Sequence, residues 1–109
     1  MVELSPMTER EGGGSDAVLS ELLDILVLRK REMPSGSYSV KLFESGLALI
    51  NAKISEEAAE VGTALATEDA NRVNAEIADL IYHLSCGMVE TGKGSWPDVF
   101  EELARRRKA

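Results

Sequence analysis

Between Leu47 and Gly92 the chain carries two long apolar stripes at helical spacing with almost nothing between them, and this restricts the fold more than any other feature. Leu47, Ile50, Ile54, Val61 and Leu65 fit one face of a helix running to about Thr67. Asp69 is placed to cap a second helix, with the stripe Val73, Ile77, Leu80, Ile81, Leu84 and Met88, fading near Thr91-Gly92. Two helices joined by so short a connection pack as antiparallel neighbours.

The flanking sequence supplies more of the same. Residues Met1 to Ser15, with Pro6 and the run Gly12-Gly13-Gly14, show no periodicity and are expected to form a flexible tail. From Asp16, read as an N-cap, Val18, Leu19, Leu22, Leu23 and Leu26 mark a helix to about Glu32, which Pro34-Ser35-Gly36 stops. Val40 to Ser45 reads as a short helix ended at Gly46. Ser95 caps a last helix that tolerates Pro97 in its first turn, turns Val99, Phe100 and Leu103 inward, and ends in the basic run Arg105 to Lys108. No stretch alternates over strand length. The expected fold is therefore all-α, an antiparallel helical bundle of four to five helices, in one domain over residues 16–109.

Charge and composition narrow the function classes. A formal charge of -7 argues against a nucleic-acid partner, because phosphate backbones are held by basic surface. No apolar run is long enough for a signal peptide or a membrane span, and the single cysteine, Cys86, has no internal partner, so the cytoplasm is the expected location. At 109 residues and 44% hydrophobic, the chain has a modest core that pairing with a second copy would help, and a homodimer is expected.

Both long helices carry acids beside their stripes. Glu57 and Glu60 lie three apart and share a face, as do Glu76 and Asp79 one helix later. At about 100° per residue, Ile50, Ile54 and Val61 fall within roughly 60° of Glu57 on one side, with Glu60 and Lys53 on the other. The same geometry puts Leu80 and Val73 on one side of Glu76 and Asp79 and His83 on the other. Glu57 and Glu76 should thus be the more buried members. A lone E-x-x-E is usually a solvated helix face, but two pairs on packed neighbours bring four negative charges together at partial burial. A hard divalent cation such as Mg²⁺ is the simplest remedy. Glu56, about 100° from Glu57, is a further ligand or simply exposed. Lys53 either pairs with Glu57 one turn on or contacts phosphate, and His83 and Tyr82 are either packing residues or polar contacts near the site.

The pattern E-E-x-x-E followed by E-x-x-D, here Glu56, Glu57, Glu60, Glu76 and Asp79, resembles the signature of the all-α nucleotide pyrophosphatases. Within that group SYSVKLFESG, KISEEAAEV and IADLIYHL resemble the phosphoribosyl-ATP pyrophosphatase family, which acts second in histidine biosynthesis, and the likeness covers roughly Val18 to Arg107. The acidic signature is common to the superfamily, so the substrate rests on the other two segments. The resemblance implies Mg²⁺, with Mn²⁺ as a substitute, held by Glu57, Glu60, Glu76 and Asp79, and cleavage of phosphoribosyl-ATP between its α and β phosphates by a homodimer. Glu56 and Glu57 are then candidates to take the proton of the attacking water. Lys41, Lys53, Ser37, Tyr38 and His83 are candidates for substrate binding. Two departures from the family pattern are Ser55, where glycine is usual, and the less apolar Ser85-Cys86-Gly87. The alternative is a related pyrophosphatase acting on free or damaged nucleoside triphosphates with the same carboxylates. A non-enzymatic helical oligomerisation module is the reading from a different class.

Overall fold

The computed structural model describes residues 15–107, and among them every regular element is a helix. The order is α1 (Ser15–Glu32), α2 (Tyr38–Ser45), α3 (Leu47–Thr67), α4 (Ala70–Thr91) and α5 (Trp96–Arg106). The expected tail lies outside the described residues except for Ser15, which already belongs to α1, so Asp16 sits inside the helix it was expected to cap. Helix α2 starts at Tyr38, two residues before the expected Val40, because Ser37 takes the extended cap position. The other caps fall where local chemistry puts them. Asp69 accepts the Arg72 N–H at 2.9 Å to open α4, and Ser95 accepts the Asp98 N–H at 3.3 Å to open α5.

Gly46 makes the corner between α2 and α3. Its φ of 87° is a region L side chains rarely adopt, and it lets one residue end the first helix and begin the second. Its N–H donates to Leu42 O at 2.9 Å while its own carbonyl accepts from Ile50 N at 3.3 Å. Helices α3 and α4 then fold back on each other across Glu68-Asp69 and form the most extensive helix pair in the structure.

The core gathers Leu22 and Leu26 from α1, Leu42 and Phe43 from α2, Ile50 from α3, and Tyr82 and Cys86 from α4. Helix α4 meets this core with a more polar face than its apolar stripe predicts. Glu76, Tyr82, His83, Ser85 and Cys86 are its buried residues, while Ile77 is 38% exposed and Val73, Leu80, Ile81, Leu84 and Met88 are only half-buried. Hydrogen bonds make this burial possible, among them Ser85 Oγ donating to Ile81 O at 2.8 Å and accepting from Trp96 Nε1 at 2.8 Å. That Trp96 bond pins α5 to α4, and α5 otherwise rests on α1. The inward positions expected for α5 are corrected accordingly. Trp96 is the buried residue, and Phe100 and Leu103 are 37% and 59% exposed.

Gly87 faces α3, and a Cβ there would meet Ile50 Cγ2 at 3.6 Å and Ile54 Cδ1 at 3.7 Å, which is ordinary contact. Gly87→Ala is therefore expected to stabilise the chain by up to about 1 kcal/mol through helix propensity alone, read from the urea midpoint. A loss of more than about 1 kcal/mol would show that the helices cannot give way to one methyl group.

Candidate metal and catalytic site

The acids of α3 and α4 meet across the hairpin. Glu57, Glu76 and Asp79 each offer a carboxylate oxygen, and these three atoms lie within 4.8 Å of one another. Glu76 is buried, Glu57 and Asp79 are half-buried, and Glu60 is exposed at the rim. Glu60 lies outside the three-acid group but acts on Glu57 one turn before it. One face of the cluster is short of partners, since Glu57 Oε2 is shut away from solvent and accepts no hydrogen bond. Burial first, and then the hydrogen bond and charge of Glu60 followed by Asp79 and Glu76, push the Glu57 carboxyl up to about 7.

Bases are distributed differently from the sequence expectation. Arg72, one turn before Glu76, forms an ion pair with it and lies 3.7 Å from Glu68 on its other side. The i,i+4 spacing of Arg72 and Glu76 was a legible signal for that pair. Lys53 pairs with Glu56 at 3.5 Å instead of with Glu57. Glu56 is exposed and lies outside the three-acid group.

Behind the acids sits an aromatic cluster that ties α2 to α4. His83, only 1% exposed, is in hydrogen-bond contact with Asp79 O through Nδ1 at 2.7 Å and with Tyr38 Oη through Nε2 at 2.8 Å. With Nδ1 donating to the carbonyl, Nε2 accepts the tyrosine proton. The Tyr38 and His83 rings meet edge to face at 5.6 Å, and Tyr82 and His83 do so at 5.5 Å. Tyr38 is the outer member, 37% exposed. Ser37 accepts from Arg29 Nη1 at 3.2 Å and bonds to the buried Ser39 hydroxyl at 2.8 Å. Lys41 is exposed on α2. Burial pushes the Cys86 thiol up to about 12, so it is no nucleophile near neutral pH.

The arrangement gathers hard oxygen donors of partial burial with one unpartnered oxygen, which suits a divalent cation. Comparison with known proteins points to the same chemistry. The chain is 44% identical over 90% of its length to a histidine biosynthesis bifunctional protein of Thermotoga maritima, of which it spans about half, 49%. It is 45% identical over 84% of its length to a phosphoribosyl-ATP pyrophosphatase of Metallosphaera sedula, covering 97% of that protein. A phosphoribosyl-ATP pyrophosphatase of Sulfurisphaera tokodaii is 45% identical over 86% of the chain and is covered to 99%. The family model for phosphoribosyl-ATP pyrophosphohydrolase matches residues 19–107, and the chain belongs to that family.

Proposed function

We propose that this chain hydrolyses phosphoribosyl-ATP to phosphoribosyl-AMP and pyrophosphate, a step of L-histidine biosynthesis, with Mg²⁺ held by Glu57, Glu60, Glu76 and Asp79. The observation that carries the reading is the meeting of Glu57, Glu76 and Asp79 within 4.8 Å in a chain matched to the family over residues 19–107. The donor set fits the ion, since all the groups are carboxylates and Glu57 Oε2 has no hydrogen-bond donor. When bound, Mg²⁺ neutralises phosphate charge and makes water a stronger nucleophile near neutral pH.

The chain's own residues divide the remaining work. Glu57, inside the three-acid group, is the candidate to take the proton of the attacking water once a cation holds it ionised. Glu56 lies outside the cluster and holds Lys53 at the rim, where the lysine can meet a phosphate. Lys41 adds a second exposed base on α2. Ser37 and Tyr38, at the start of α2, are the candidates to meet the substrate, and buried His83 holds the Tyr38 hydroxyl.

The active form is a homodimer in the cytoplasm. Its support is the apolar surface left on the long helices, where Leu65, Leu47 and Ile77 are 66%, 40% and 38% exposed. No helix among the described residues is long and apolar enough to cross a membrane.

Pyrophosphate release should be strongly preferred from phosphoribosyl-ATP over a panel of free nucleoside triphosphates. It should fall to background with a chelator and return with Mg²⁺ or Mn²⁺. A preference for a free triphosphate would transfer the assignment to the related pyrophosphatases. Activity that survives complete chelation would remove the metal from the mechanism.

A further inference from the structure

Arg72 is the residue that the site described so far leaves without a role. Its guanidinium pairs with Glu76, a carboxylate only 5% exposed, while Glu57 Oε2 in the same cluster receives no donor. The cluster therefore holds one basic group already, bonded to its most buried acid. The arginine side chain is itself 54% exposed, so it can leave Glu76 without being dragged through the core. A second anchor waits on the outer side, because Arg72 Nε already lies 3.7 Å from Glu68 Oε1. Glu68 is exposed at the end of α3 and shares no oxygen with the three-acid group.

We infer that Arg72 is the resident counter-ion of the carboxylate cluster, and that an incoming divalent cation displaces it from Glu76 onto Glu68. The inference rests on the metal-site reading above. A carboxylate cluster without any cation would carry uncompensated charge at partial burial, and the guanidinium relieves part of that charge until a cation arrives. The same pairing opposes loading, since the ion must enter against a positive group bonded to one of its ligands. Arg72 thereby holds the cation affinity down, which keeps the site exchangeable.

The test is Mn²⁺ binding by calorimetry to the full chain and to Arg72→Met and Arg72→Gln, each checked for helical content by circular dichroism. The neutral variants are expected to bind Mn²⁺ between about threefold and thirtyfold more tightly, as fits removal of one unit charge near a partly exposed site. Arg105→Met makes the same change in net charge on α5, where Arg105 pairs with Glu102, and should leave the affinity unchanged. Equal or weaker Mn²⁺ binding by either folded Arg72 variant would overturn the inference, as would equal tightening in Arg105→Met. Absence of saturable Mn²⁺ binding in the unaltered chain would instead overturn the metal site itself, and the role of Arg72 with it.

Discussion

Glu57→Gln is expected to reduce pyrophosphate release on the order of 10²- to 10³-fold at saturating substrate, with the helical content unchanged, because it deletes a charge from the centre of the electrostatic site. Glu60→Gln and Asp79→Asn should act in the same direction. Turnover near the unaltered rate at limiting Mg²⁺ would remove the substituted residue from the set of metal ligands. The loss of activity should come with a gain in stability when no cation is present, since glutamine cannot repel its acidic neighbours.

The sign of that gain with pH follows from the raised Glu57 value. A carboxyl that keeps its proton up to about 7 in the folded chain, against an ordinary 4.5, favours the folded state below 4.5. That advantage is lost as the pH rises from 4.5 through 7. Metal-free protein should therefore show a melting temperature that declines over this window relative to Glu57→Gln. Parallel melting curves for the two proteins across the window would show that Glu57 titrates normally.

Ile50→Ala is the second large effect expected, this time on the fold. Ile50 is fully buried where α3 meets the core and lies beside Gly87 of α4, so truncation leaves a cavity that neighbouring helices can only partly close. The cost should be about 2–5 kcal/mol, a large share of the roughly 5–15 kcal/mol that holds a domain folded. Urea unfolding with an unchanged slope would measure it. A cost under about 1 kcal/mol would mean that the site collapses around the smaller side chain.

The elements of this fold were legible where the signal was local. The Asp69 and Ser95 caps, the stop after Glu32 and the corner at Gly46 each depend on the chemistry of a few adjacent residues, and the helices begin and end accordingly. The buried face of α4 was not legible in the same way. Counting apolar residues selects Val73, Ile77 and Leu84, whereas the chain buries Tyr82, His83 and Ser85 because Tyr38, Ser39 and Trp96 arrive from other helices to satisfy them. Periodicity has no access to partners so distant in sequence. Phe100 and Leu103 failed for a related reason, since α5 turns Trp96 inward and meets little else.

At the site, helix geometry placed Glu57 and Glu76 toward the interior and Glu60 and Asp79 beside them, and their burial follows that order within each pair. What the sequence reading missed were the cations. Lys53 pairs with Glu56, three residues on, and Arg72 engages Glu76 from one turn before it. Side-chain reach decides between Glu56 and Glu57 for Lys53, and a projection of Cα positions onto a circle does not contain it, whereas the i,i+4 spacing of Arg72 and Glu76 does show their pair.

The hairpin of α3 and α4 also bears on how the chain folds. Its two helices are neighbours in sequence, so closing it costs little loop entropy and belongs among the early events of folding. Closing it brings Glu57, Glu76 and Asp79 together. Repulsion among the three acids opposes that closure, and added salt is expected to quicken refolding by screening it, as stopped-flow rates would show.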